Sequence, residues 1–380
     1  MSQAASLAVP VAASRMLVMI SDSTTPCGVE AFARRLASTA GPRATTAVLD
    51  RDLGRLRNAL GNADALVLNL PVVAWKAKLA EPVLAATLAR ASRRDVVVIL
   101  HEWADLDWKR RASYAPLLPL ATMVLFSSPE VARQFAASPV SRLTTGRRGI
   151  VPIPPNLVRP AKTSPSRATA TLDRARAEGR LVLGHFGSIY PKKQSTLVLD
   201  VAAALRDRGE DPFVAFIGSF VKGSDRVEED FQARVAALGL ADRVLVTGYV
   251  AEDAEVFGLF DQVDVFLYAF AEGLTSRRAS VLAASASGRP LVVNAPREAD
   301  AFDHHPTYLR LLREGRLRLA PTDATVEDLA LAVMAARDAG LPTGSIDEPA
   351  AWRDALAVVD AGLQPAERRE QAGPGRVRPD

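Results

Sequence analysis

Cysteine is almost absent: Cys27 is the single one in 380 residues. That excludes an intrachain disulfide and points to a reducing, cytoplasmic setting. Long apolar runs are missing too, and none approaches the roughly 18–20 residues that span a bilayer. Residues 1–14 are Ala-rich but hold no Lys or Arg. A secretory signal needs a positively charged start, so this stretch reads as a disordered leader. Nor does one charge dominate, since 47 Lys and Arg stand against 43 Asp and Glu, a formal net charge of +4. The excess is too small to indicate nucleic acid, and no basic block is interleaved with aromatics. It suits an anionic ligand, or attraction to acidic lipid as a peripheral protein at the inner face of a membrane.

What is present is ordinary for a soluble globular chain, with 48% hydrophobic and 24% charged residues and enough length for two domains. Short β-rich runs alternate with helical stretches, the pattern of parallel sheets covered on both faces. The first half offers strands at 16–21, 45–50, 65–70, 95–100, 122–127 and 149–153, with helices fitting at 30–40, 74–92 and 129–137. The last of these has Ser128 as its cap and Pro129 at its first position. Residues 152–180 hold five prolines and little apolar periodicity, the mark of a linker. The alternation then restarts, with strands at 181–186, 213–218, 243–248, 263–268, 290–294 and 316–320. Helices are expected at 194–208, 225–238, 252–261, 277–287, 324–337 and 350–363. The domains follow as 15–157, a linker over 158–180, a second domain over 181–345, a last helix within 346–364, and a polar, disordered tail over 365–380.

In open α/β sheets ligands bind beyond the carboxyl ends of the strands, and three turns there are unusual. STTPCGVEAFARRL (23–36) puts Pro26 and Gly28 in a tight turn before a helix whose free amides and dipole suit a phosphate; a plain turn that needs glycine is the alternative. GHFGSIYPKKQST (184–196) opens on Gly187 and Ser188 and brings Lys192 and Lys193 to a helix start. Cations are electrostatically wrong there for the helix itself, and the conflict disappears if a diphosphate sits between them. AFAEGLTSRRASVLAASASGRPLVV (269–293) carries Glu272, Gly273, Thr275, Ser276, Arg277 and Arg278 ahead of an apolar helix. Hydroxyls, amides and two arginines make an anion cradle, and arginine donates a forked pair of hydrogen bonds.

The order of these loops resembles the GT-B glycosyltransferases, in particular the large retaining family 4 (glycosyl transferases group 1). The matching stretches are PCGVE near the start, FGSIYPKK, FVAFIG, RVLVTGYVAEDAEVFGLFDQVDVFLY and EGLTSRRASVLAASASGRPLVV. The resemblance implies an α/β fold of two Rossmann-like parallel-sheet domains facing across a cleft, with the last helix crossing back to the first domain. It gives Lys193 the donor diphosphate, the loop at Thr247, Gly248, Tyr249 and Val250 the nucleotide base, and Gly28 the diphosphate from the other domain. His101, in LHEW, matches a histidine near the reacting sugar. The acceptor would enter near Gly28, His101 and Glu102.

The chain departs from the family at three points. An arginine that many members carry after the phosphate-loop glycine is Ser188 here. The family's paired glutamates register on Thr275 and Ala283, neither of them acidic, and EGLTSRR resembles a branch with Ser/Thr-Arg-Arg in that loop. The expected activity is sugar transfer from a UDP- or GDP-sugar to a carbohydrate or lipid-linked acceptor, in bacterial polysaccharide or glycolipid assembly, with retention and without cofactor or metal. A degenerate paralogue that binds sugar nucleotide and supports a partner remains open, as does a sugar-nucleotide 2-epimerase, against which the four histidines count. Asp105 and Asp107 read as a polar loop rather than a metal pair, and His304 with His305 as a surface turn. Cys27 lacks a His–Asn partner. Trp103 and Trp108 fit either packing or stacking on an acceptor sugar.

Overall fold

The computed structural model describes residues 14–23, 27–76, 78, 80–190, 193–221, 226–339 and 346–363. They form two compact units, one running up to residue 151 and resuming at 352, the other over 152–351. Expectations for the leader, for Pro26, for Lys192 and for the tail fall on residues outside the described set.

In the first unit the order is β1 (Met16–Ile20), α1 (Gly28–Ala40), β2 (Ala44–Val48), α2 (Leu53–Gly61), β3 (Ala65–Leu70), α3 (Glu81–Ala91), β4 (Asp95–Leu100), α4 (Trp108–Tyr114), β5 (Met123–Phe126), α5 (Pro129–Ala136) and β6 (Arg147–Ile150). The strands pair in parallel in the order β2-β1-β3-β4-β5-β6. The central runs ALVLNL and DVVVIL are buried at every position, as strands covered on both faces must be. At the edge, β2 exposes Thr45 and Thr46.

The second unit runs α6 (Arg167–Ala177), β7 (Leu181–Phe186), α7 (Ser195–Asp207), β8 (Pro212–Ile217), α8 (Val227–Ala237), β9 (Val244–Val246), α9 (Asp253–Phe260), β10 (Val265–Tyr268), α10 (Ala279–Ser285), β11 (Leu291–Asn294), α11 (Pro306–Arg313), β12 (Leu317–Ala320) and α12 (Val326–Asp338). Its parallel sheet has the order β12-β11-β10-β7-β8-β9. Alternation along each strand divides the side chains between two cores. Along β8, Phe213, Ala215 and Ile217 join one cluster, while Val214 and Phe216 join the other. Each such fully buried Leu, Val or Phe contributes roughly 1.5–3 kcal/mol.

The final helix, α13 (Glu348–Ala361), groups with the first unit from Trp352 onward. Trp352 lies 5.4 Å from the Phe32 ring, Arg43 forms a two-pronged pair with Asp360, and Arg147 donates to the carbonyls of Ala361 and Gly362. Among the described residues no helix is long and apolar enough to cross a membrane.

Three sequence expectations change in the structure. The helix expected over 74–92 is a short turn at Val73–Trp75 followed by α3. Pro82 explains the break, because it has no N–H to donate and is tolerated only in a first helical turn. The stretch read as linker holds α6, opened by a capping box between Ser166 and Thr169 and seated through Leu172 and Ala175. The strand expected at 149–153 runs over Arg147–Ile150 instead, ending before Pro152, which cannot continue a ladder.

Candidate functional site

In the second sheet the strand order reverses between β7 and β10, which pair directly. A crevice beyond the carboxyl ends of two such strands is where open α/β sheets take ligands. The loop after β7 carries Gly187 and Lys193, and the loop after β10 carries residues 271–278.

Gly187 sits at φ 110, a conformation that side-chain-bearing residues avoid. A Cβ there would lie 2.5 Å from Lys193 Nζ. Gly218, after β8, presses as closely on the Gly187 carbonyl, and its N–H donates to Thr247 Oγ1 at 3.1 Å. Thr247 in turn donates to the Gly248 carbonyl at 2.8 Å. The loops after β7 and β8 thus meet backbone to backbone, and the Thr247 side chain ties in the loop after β9. Ser188 is exposed, Val250 is half-buried against the core, and Tyr249 is 69% exposed beside Gly248 at φ 74.

Lys193 is only 6% exposed and forms no ion pair with a described carboxylate. Burial first, and then the nearby Arg278 guanidinium, push its ammonium down to about 8. Tyr190 joins the two cations: Lys193 Nζ lies 5.7 Å from its ring centre, and Arg278 Nη1 donates to its hydroxyl at 3.1 Å. Arg278 also stacks 4.5 Å from the Phe270 ring centre and pairs through Nη2 with Glu272. Tyr308 donates to the Arg278 carbonyl at 3.3 Å.

Several polar atoms around this cluster are buried without a hydrogen-bond partner: Ser195 Oγ, Thr275 Oγ1, Ser276 Oγ and Arg278 Nε. Native structures leave few such atoms, and each one asks for an explanation. Gln194, which precedes α7, is held left-handed at φ 43 with no side-chain cap on the helix. Backbone strain of this kind concentrates at ligand sites, and the uncapped amides of a 13-residue helix add a positive end. Gly273, at φ 76, brings the loop backbone against Ala295 O, where a Cβ would stand at 2.3 Å. Arg277 is half-buried.

The neighbouring His185 is fully buried, donates from Nδ1 to the Leu267 carbonyl at 3.0 Å and is pushed down to about 3 by burial and by Lys193. It is a neutral core group. Tyr190, Phe270, Ser195 and Tyr308 went unremarked in the sequence. Tyr190 could have been found, since it stands between Gly187 and Lys193 in a single loop.

In the first unit His101 lies just past β4. Its Nε2 faces Asn69 Oδ1 at 3.3 Å, its carbonyl accepts from Ser127 Oγ at 3.0 Å, and its ring meets Phe32 edge-on at 5.1 Å. Glu102 is half-buried beside it. Gly28 corrects an expectation. It is the first residue of α1 rather than part of a turn that demands glycine, and a Cβ there would meet nothing within 4 Å.

The remaining candidates resolve into structure. Asp107 caps α4 by accepting from Arg110 N at 3.0 Å, and no described group of three acids, histidines or cysteines could hold a metal. His305 is not on a surface turn. It is buried, caps α11 and bonds the Ile153 carbonyl at 3.0 Å, because Phe302 and Tyr308 draw the segment into the core. Trp103 packs on Phe135 at 4.9 Å, whereas Trp108 is 70% exposed. A depression of about 630 Å³ lined by Arg180, Glu210, Asp264, Arg289 and Arg337 lies at the amino ends of the strands. That is the edge where ligands of such sheets are not bound.

Comparison with known proteins agrees with this fold. Residues 180–342 match the family model described as Glycosyl transferases group 1. Anabaena HepE, solved in complex with UDP and glucose, shares the fold over 94% of this chain and 98% of its own, at 17% identity and TM-score 0.57. The structure described as trehalose-6-phosphate from E. coli bound with UDP-2-fluoro glucose covers the same shares at 13% identity and TM-score 0.53. No curated protein matches significantly by sequence. The chain therefore has the α/β fold of two Rossmann-like parallel-sheet domains, and its second domain matches the glycosyl transferases group 1 family over residues 180–342.

Proposed function

We propose that this protein transfers a sugar from a UDP- or GDP-sugar to a hydroxyl of a carbohydrate or lipid-linked acceptor, with no cofactor and no metal. The observation that carries the reading is the buried Lys193 ammonium, without a carboxylate and beside Arg278, amid unpartnered hydroxyls at the reversal point of the second sheet. A buried cation is expensive unless paired, and a diphosphate supplies the missing charge and the missing acceptors. The family match and the UDP and sugar ligands held by proteins of the same fold support a nucleotide-sugar donor.

Departure of the nucleoside diphosphate builds negative charge on its bridging oxygen. Fixed donors at that oxygen lower the barrier most, and Lys193, Arg278 and the α7 amides would provide them. Arg277 would add a second guanidinium, Thr275 and Ser276 hydrogen bonds to the donor, and the Gly248–Val250 backbone contacts to the base. In the first unit we assign the acceptor to the carboxyl-end residues Gly28, His101 and Glu102. From the resemblance to the retaining family 4 we take it that no protein nucleophile acts, that the departing phosphate takes the acceptor proton, and that configuration is retained. We place the reaction in polysaccharide or glycolipid assembly on the cytoplasmic side of a membrane.

The test is turnover with UDP- and GDP-sugars, with Lys193→Ala as the probe. The variant should lose about 10²–10³ in kcat, the scale for one transition-state donor. Wild-type turnover by the variant would contradict the assignment. The missing acids also favour a second reading, a non-catalytic sugar-nucleotide binder. Binding without turnover on any acceptor extract would select it.

A further inference from the structure

Glu272 is an acid set against a cluster of cations. Three side chains hold the Arg278 guanidinium. Phe270 covers one face of the guanidinium, Tyr190 takes Nη1, and Glu272 takes Nη2. Nε, the other donor on the edge that Nη2 shares, is buried without a partner. A phosphate or carboxylate held by two parallel N–H bonds would use both donors of such an edge, so Glu272 fills half of it and completes none.

The two side chains also differ in freedom. The Glu272 side chain is 30% exposed and that of Arg278 only 13%. The backbone around Glu272 is pinned: Phe270 N donates to Asn294 Oδ1 at 2.9 Å, and Gly273 abuts Ala295. The carboxylate can therefore swing outward by side-chain rotation while Arg278 stays clamped between Phe270 and Tyr190. Nothing comparable neutralises Lys193 among the described residues. Of the two cations, one has an internal counter-ion and the other has none among the described residues.

We infer that Glu272 is a stand-in anion, occupying the phosphate edge of Arg278 until the donor's diphosphate displaces it. The inference rests on the donor-site reading above and adds how that site is kept while empty. Glu272 spares the site two uncompensated cations, and it lowers the affinity for diphosphate by competing for Arg278. A residue that merely shaped the loop would do the opposite, since its loss would weaken binding.

Calorimetric titration with inorganic pyrophosphate and with UDP separates the two. Glu272→Gln keeps shape and removes charge, and it should bind both probes roughly two- to fivefold more tightly than wild type, the range for losing one partly exposed ion pair. Equal or weaker binding by a folded variant overturns the proposal. Should the variant not fold, a crystal structure of the wild type with UDP decides: Arg278 should donate to a phosphate oxygen with Glu272 swung away. A Glu272–Arg278 pair that persists beside bound UDP overturns this inference alone. Failure of the wild type to bind pyrophosphate, UDP or GDP overturns the donor-site reading and this inference with it.

Discussion

Holding the Lys193 ammonium inside the protein without a carboxylate costs folding free energy. Its folded pKa, about 8, lies below the usual 10.5. The cost is therefore present in full below pH 8 and fades as pH rises towards 10.5. An anionic ligand prefers the protonated form, so affinity for UDP should be level below pH 8 and fall above it, by at most about tenfold per pH unit. At pH 8.5 binding should take up a proton, visible as a calorimetric enthalpy that changes with the buffer. Affinity that rises above pH 8 would contradict the role of Lys193.

The glycines divide in the same way. Gly187→Ala forces a Cβ into the space of Lys193 Nζ at an unfavourable φ and should cost about 1–3 kcal/mol along with nucleotide binding. Gly28→Ala meets no atom and lies in a helix, so its melting temperature should hold or rise slightly. If the site needs close approach at Gly28, kcat/KM falls nonetheless. A variant that loses stability but keeps activity would reverse that assignment.

At the scale of elements, the periodic signals were legible and the punctuation was not. ALVLNL, DVVVIL and LVLGHF have the bounds read from the sequence, because uninterrupted apolar runs between turn residues leave little choice. Four helices were overlooked, among them α11, whose start was read as a surface turn. α2 and α4 are short and begin on side-chain caps from Asp52 and Asp107, and α6 hides in a polar, proline-bearing stretch where only its capping box marks a start. The site was legible as loops but not as contacts. Lys193 and Arg278 could be named from their helix starts and Tyr190 from its place between Gly187 and Lys193, whereas Phe270 and Ser195 become visible only once β7 and β10 are neighbours. Caps also yield a prediction: Thr325→Ala removes the capping box of α12 and should lower stability by about 1 kcal/mol in thermal melts, with nucleotide affinity unchanged. Unaltered melting would show that the box adds nothing.

At the scale of the molecule, the first unit and the second have separate hydrophobic clusters, and all four tryptophans, Trp75, Trp103, Trp108 and Trp352, belong to the first. Tryptophan fluorescence therefore reports one unit, and calorimetry reports both. UDP at about a hundred times its Kd adds about 2.7 kcal/mol to whatever binds it. The added stability should appear in the calorimetric transition that tryptophan does not follow; a rise confined to the tryptophan-reported transition would place the nucleotide in the wrong unit.

If a nucleoside diphosphate completes the Lys193–Arg278 cluster, loss of the lysine must weaken its binding. Titrating wild type and Lys193→Ala with UDP and with GDP at pH 7 tests it most directly. One of the two nucleotides should bind the wild type at a single site, and the variant at least about tenfold more weakly. A wild type that binds neither, or a variant that binds as well, would contradict the account.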